Sequence, residues 1–119
     1  MRIIKNYMIF PPKPQDETAR LDTLAEYAIL DTDSEERFDR ITRMVSSLLN
    51  TPIASIALVA EDHIWFKSKI GFEAKQIDRD ALFCGHTILQ DELFIVEDAQ
   101  LDARFHDNPF VINPPFFRA

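Results

Sequence analysis

Cysteine, glycine and basic charge are all scarce in this 119-residue chain, and each scarcity removes a class of protein. One cysteine, Cys84, excludes an intramolecular disulfide and with it a disulfide-stapled secreted fold. Two glycines, Gly71 and Gly85, leave no glycine-rich phosphate loop. Thirteen Lys and Arg against twenty Asp and Glu give a net charge of -7. The basic residues are interspersed with acidic ones, so the surface repels phosphate backbones and anionic lipid, and neither nucleic acid nor a membrane is expected as a partner. No run of about 18 apolar residues is present to span a bilayer. In the opening stretch 1–10, Lys5 and Asn6 interrupt the apolar residues and no small-residue cleavage site follows, so a signal peptide is not expected and the cytoplasm is the expected location. HExxH and nucleophile-elbow signatures are missing too, and no catalytic residue is expected.

What remains is a hydrophobic share of 46% beside 28% charged residues, a balance that supports one packed domain. Residues 1–15 end in Pro11-Pro12-Lys13-Pro14 and read as an extended lead-in arm, with Met8 as an alternative start. Behind Asp16 as N-cap, Leu21, Leu24, Ala25, Ala28 and Ile29 fall on one face of a helix over 17–30. Thr32 and Glu35 have capping-box spacing ahead of a second helix, whose stripe of Phe38, Ile41, Met44, Val45, Leu48 and Leu49 is expected to face the core. Asn50-Thr51-Pro52 stops it.

The segment 53–60 is apolar at every alternation, which suggests a central strand covered on both sides. After a turn at 61–63, the return strand 64–70 puts Ile64, Phe66 and Ile70 on one face and Trp65, Lys67 and Lys69 on a wetter one. Residues 71–80 read as irregular, 81–90 as a short helix, 93–97 as a third strand, and 103–107 as a short helical piece.

Seven stretches in order resemble the GAF domains found ahead of bacterial histidine kinase and diguanylate cyclase modules. They are Ile29-Leu30-Asp31-Thr32 with residues 36–41; Pro52-Ile53; Trp65-Phe66-Lys67-Ser68 with Gly71; Phe83-Cys84-Gly85-His86-Thr87-Ile88-Leu89; Val96-Glu97-Asp98-Ala99; Asp102-Ala103-Arg104-Phe105; and Asn108-Pro109. The resemblance covers roughly residues 17–118. It implies an α+β fold, a GAF-like antiparallel sheet with N-terminal helices packed on one face, residues 16–119 forming the domain. In that family more strands and a closing helix follow the segment matching residues 116–119, so the last strands are expected to be missing. An open sheet beside Phe110, Val111, Ile112, Phe116 and Phe117 would then favour a homo-oligomer, a rearranged fold or a fragment of a longer protein.

The function implied is sensory: a signal-input domain that binds a small ligand or an output module and transmits by helix rearrangement or dimerisation. No cofactor can be named. Ligand-binding candidates are Phe66, Phe83, Cys84, His86, Phe105 and Asn108. Cys84, near the start of a short helix, is either a thiolate poised for redox or chromophore chemistry or a small buried hydrophobe. Some GAF domains attach a bilin through such a cysteine, but here Gly85 separates Cys84 from His86. His63, Cys84 and His86 lack structural-zinc spacing, and Asp98, Asp102, Asp107 and Asn108 lack the pattern of a calcium loop, so turn and cap chemistry accounts for them. A lone cysteine also leaves no resolving thiol for sulfoxide-reductase chemistry. The alternative class is a self-associating interaction fragment without a ligand pocket.

Overall fold

The computed structural model describes residues 2–3 and 9–118, leaving Met1, residues 4–8 with the alternative start Met8, and Ala119 outside the description. In chain order the elements are β1 (Arg2–Ile3), β2 (Ile9–Phe10), α1 (Glu17–Tyr27), α2 (Glu36–Leu49), β3 (Ala54–Val59), β4 (His63–Ile70), β5 (Gln76–Asp78), α3 (Cys84–Thr87) and α4 (Pro109–Ile112). Helices and antiparallel sheet make it an α+β protein, as the sequence implies. The residues divide into two compact units, 18–78 and 1–17 with 79–119.

The first unit is built on an antiparallel sheet of order β3-β4-β5. Strand 53–60 is therefore not central. β5, inside the stretch expected to be irregular, pairs with β4 on its far side through Ile64↔Ile77 and Trp65↔Gln76. That places β4 in the middle, and apolar content in β3 does not set its ladder position. Pairing of β3 with β4 shifts register between Ile56, opposite Ser68, and Ala57, opposite Phe66. Lys67 is the extra residue of this bulge, which re-aims side chains and bends the strand. The expected wetter face does not form: Trp65 and Lys67 are both buried. Beyond β4, Gly71 adopts φ +92°, and a Cβ there would lie 2.2 Å from the Pro52 carbonyl oxygen. Only glycine fits this close approach.

α2 lies on β3 and β4. It ends as the sequence implies, with Asn50 at φ 51° closing the helix through N–H bonds to the Ser46 and Ser47 carbonyls. Its start differs, because Glu35 is the N-cap without a side-chain cap bond, while Thr32 Oγ1 donates to the Ile29 carbonyl. Its orientation differs as well. Ile41 is 43% and Leu48 76% exposed, whereas the buried position is Thr42. The physical reason is a polar anchor: Thr42 Oγ1 donates to Ser68 Oγ at 2.7 Å, and Ser68 Oγ donates to Asp39 Oδ1 at 2.6 Å. Satisfying these groups inside turns the apolar stripe outward. α1 ends at Tyr27 rather than at residue 30, with Ala28 in the left-handed region at φ 48°. Arg20 Nη1 ties it to the Val59 carbonyl at 2.5 Å.

The second unit is rich in turns around a cluster of Val96, Ala99, Phe105 and Val111, with Phe83 and Phe94 against it. Residues 93–97 carry strand-like residues but form no ladder, and 103–107 are turns rather than helix. Asn108 caps α4 by accepting from the Phe110 N–H at 2.9 Å, and its Nδ2 donates to the Ala81 carbonyl. The helix expected over 81–90 is one turn, α3. In the lead-in, β1 and β2 pair antiparallel as Arg2↔Phe10 and Ile3↔Ile9, so the extended backbone expected there is part of a two-stranded ribbon.

Candidate functional site

Within the unit 18–78, the loop after α1, the side of α2 and the middle strand enclose a cleft of about 700 Å³. That is a size typical of small-molecule sites. Trp65, Phe66 and Ile70 give it apolar lining, and Phe66 packs edge-on against Phe72 with ring centroids 4.8 Å apart. The loop supplies Asp31, Thr32, Asp33 and Ser34, α2 supplies Asp39 and Arg43, and the strand side supplies Lys67, Ser68, Lys69 and Lys75.

Lys67 fixes the loop to the sheet. Its side chain has 0% exposure, and the ammonium reaches Glu35 Oε2 at 2.7 Å, Thr32 Oγ1 at 2.7 Å and the Asp33 carbonyl at 2.5 Å. Three protons thus meet three acceptors, which is what makes a buried ammonium tolerable. Lys67, and after it Arg37, holds the Glu35 carboxyl below the usual carboxylate range. The Lys67 ammonium also lies 5.5 Å from the Phe38 ring centroid, a cation–π distance. Asp31 sits in the left-handed region at φ 60°, a conformation aspartate adopts more readily than most residues.

Five of the six sequence candidates lie in the second unit. Phe83 and Phe105 pack edge-on at 4.6 Å, and His86 meets Phe105 edge-on at 5.1 Å while stacking over Phe94. Phe105, 1% exposed, and Asn108 are embedded among protein atoms. Burial pushes the His86 pKa below its ordinary value, against the raising effect of its bond to the Ile9 backbone. Burial pushes the Cys84 thiol up, opposite to the shift a poised thiolate needs. The structure therefore places Phe83, Cys84, His86, Phe105 and Asn108 in one unit and Phe66 in the other, at the cleft. The cleft's charged residues are missed by the sequence reading, because a lysine at an alternating strand position reads as a solvent-facing one until the bulge is seen.

No family model matches the chain. Over 111 residues, 93% of its length, the chain is 37% identical to a cyclic di-GMP phosphodiesterase of Pseudomonas aeruginosa. The match spans 19% of that protein, about a fifth of its length. Among the described residues no helix is long and apolar enough to cross a membrane. An α+β chain of this kind, similar to one segment of a cyclic di-GMP enzyme, is associated by that likeness with signalling.

Proposed function

We propose that the chain is a signal-input domain of GAF type, with residues 1–15 as a lead-in arm and 16–119 as the domain. It binds a small ligand or an output module in the cytoplasm and transmits by helix rearrangement or dimerisation. The observation that carries this reading is the asymmetry of coverage: nearly the whole chain aligns with a small share of a much longer phosphodiesterase. A segment of that proportion is suited to regulating a catalytic region rather than to being one. The cleft supports the ligand side of the reading, since it joins the loop after α1 to the sheet, and an occupant that favours one loop position shifts the helix population. On this reading the chain itself hydrolyses nothing.

A second reading, a self-associating interaction module without a ligand, is favoured by one observation: Tyr27, Ile41, Met44, Leu48 and Leu49 stand exposed in the same unit. Native mass spectrometry of freshly purified protein separates the two. Added small-molecule mass at one per chain supports the input domain. A ligand-free dimer that Leu48→Asp converts to a folded monomer supports the second reading, and it is the missing small-molecule mass, not the dimer, that counts against ligand binding.

A further inference from the structure

We propose that residues 93–97 are a docking strand for a protein partner, an extended segment with apolar residues at alternate positions and Lys or Arg at both ends. The surface lies in the unit formed by 1–17 and 79–119 and needs no occupant in the cleft of 18–78.

The segment Leu93-Phe94-Ile95-Val96-Glu97 has the side-chain alternation of a β-strand. Val96 is buried in the cluster with Ala99, Phe105 and Val111, and Phe94 packs against that cluster, while Leu93 is 86% and Ile95 70% exposed. The main chain is left open. Among the described residues, no backbone N–H or carbonyl of 94–97 is hydrogen-bonded. Backbone groups of folded chains are nearly always paired, and an unpaired strand is a template for another. Strand addition draws its affinity from main-chain bonds and its selectivity from alternate side chains, here the places beside Leu93 and Ile95.

The segment is also held in place before any partner arrives. Phe94 stacks over His86 with ring centroids 6.1 Å apart, and the Arg104 guanidinium lies 4.9 Å from the Phe94 centroid. Gln90 Nε2 donates to the Glu92 and Leu93 carbonyls at 3.4 and 3.0 Å, fixing the start of the segment. Asp98 Oδ1 accepts from the Gln100 N–H at 2.9 Å in the turn that follows. A segment tied at both ends and anchored by alternate residues loses little freedom when a partner adds.

Charge selects the partner. Asp91 and Glu92 precede the apolar run, Glu97 and Asp98 follow it, and Asp91, Glu92 and Glu97 are exposed. A second copy paired antiparallel about Ile95 would set Glu92 against Asp98 of that copy, and a parallel copy in register would set Glu92 against Glu92. Like charges directly opposite are destabilising. An apolar segment flanked by Lys or Arg meets acids at both ends instead, and a chain of net charge -7 attracts it.

The test uses the full chain and a labelled peptide, acetyl-Lys-Arg-Val-Thr-Ile-Thr-Val-Lys-Arg-amide, followed by fluorescence anisotropy and by amide hydrogen exchange. One control peptide carries Glu-Asp in place of each Lys-Arg pair, and another carries proline in place of the central isoleucine. The basic peptide should bind about tenfold or more tightly than either control at low salt, and amides 94–97, fast to exchange in the free chain, should slow when it binds. Glu92→Lys/Glu97→Lys should weaken the basic peptide about tenfold while melting close to the parent, because both carboxylates are exposed and hold no side-chain bond among the described residues. No binding of the basic peptide, equal binding of either control, binding unchanged in the double variant, or binding without slower exchange at 94–97 overturns the proposal. Amides 94–97 that slow with rising protein concentration alone would make a second copy the occupant and overturn it too.

Discussion

Replacing Lys67 with methionine removes the ammonium that holds the loop 31–35 and keeps most of the apolar stem that packs beside Phe38. Breaking a fully sealed ion pair by removing one partner costs about 3–5 kcal/mol. Here the lysine side chain is 0% exposed but Glu35 is 40% exposed, so the abandoned carboxylate regains water and the cost falls to about 2 kcal/mol. For a chain of this size that is a drop in Tm of about 8 °C. Urea and thermal unfolding followed by circular dichroism measure it, with Lys69→Met as control. Lys69 lies two positions along the same strand without a side-chain partner among the described residues, and its replacement should stay within about 0.5 kcal/mol of the parent. If Lys67→Met unfolds within about 0.5 kcal/mol of the parent, or later than it, the ammonium does not anchor the loop and the reasoning fails.

Gly71→Ala should cost more than about 2 kcal/mol, since φ +92° already disfavours a side chain and the new Cβ would press on the Pro52 carbonyl; a melt unchanged from the parent would contradict that backbone approach. The Cys84 thiol, pushed up by burial, should react with a disulfide reagent at neutral pH far more slowly in the folded chain than after denaturation, and equal rates would place it outside the core. His86 should make stability fall as pH drops below its ordinary value of about 6.5, because the unfolded chain then takes a proton that the buried ring resists. Unfolding from pH 7.5 to 5.5 should show that slope in the parent and a shallower one in His86→Gln. Identical slopes would mean the ring is not depressed.

The α+β class, the β3–β4 hairpin and the C-terminal end of α2 are legible in the sequence because each depends on local chemistry. Asn50-Thr51-Pro52 can only end a helix, and Glu61-Asp62 can only turn a hairpin of apolar strands. The face that α2 presents is not legible. Its stripe of Ile41, Met44, Val45 and Leu48 reads as the core side, and the opposite outcome depends on Ser68, 26 residues beyond Thr42, arriving to take a hydrogen bond. Residues 93–97 have strand composition but no ladder partner among the described residues, since pairing depends on a neighbour rather than on propensity. At the cleft, Phe66 is legible as an aromatic near a cavity. Lys67 is not, since one bulged residue reverses the alternation from which exposure is inferred. Asp31 and Asp33 lie in the break between α1 and α2, where a sequence shows only an interruption. Only the fold shows that these residues line a cleft against the sheet.

The central claim, that this chain receives a signal by binding a small molecule at the cleft, is tested most directly by backbone amide resonances of the isotope-labelled chain titrated with a mixture of common metabolites and, separately, with a low-molecular-mass cell extract. The account predicts saturable shifts concentrated at residues 31–35 and 65–70, extending into α1. A spectrum unchanged by both additions, or shifts confined to residues 79–118, would contradict it.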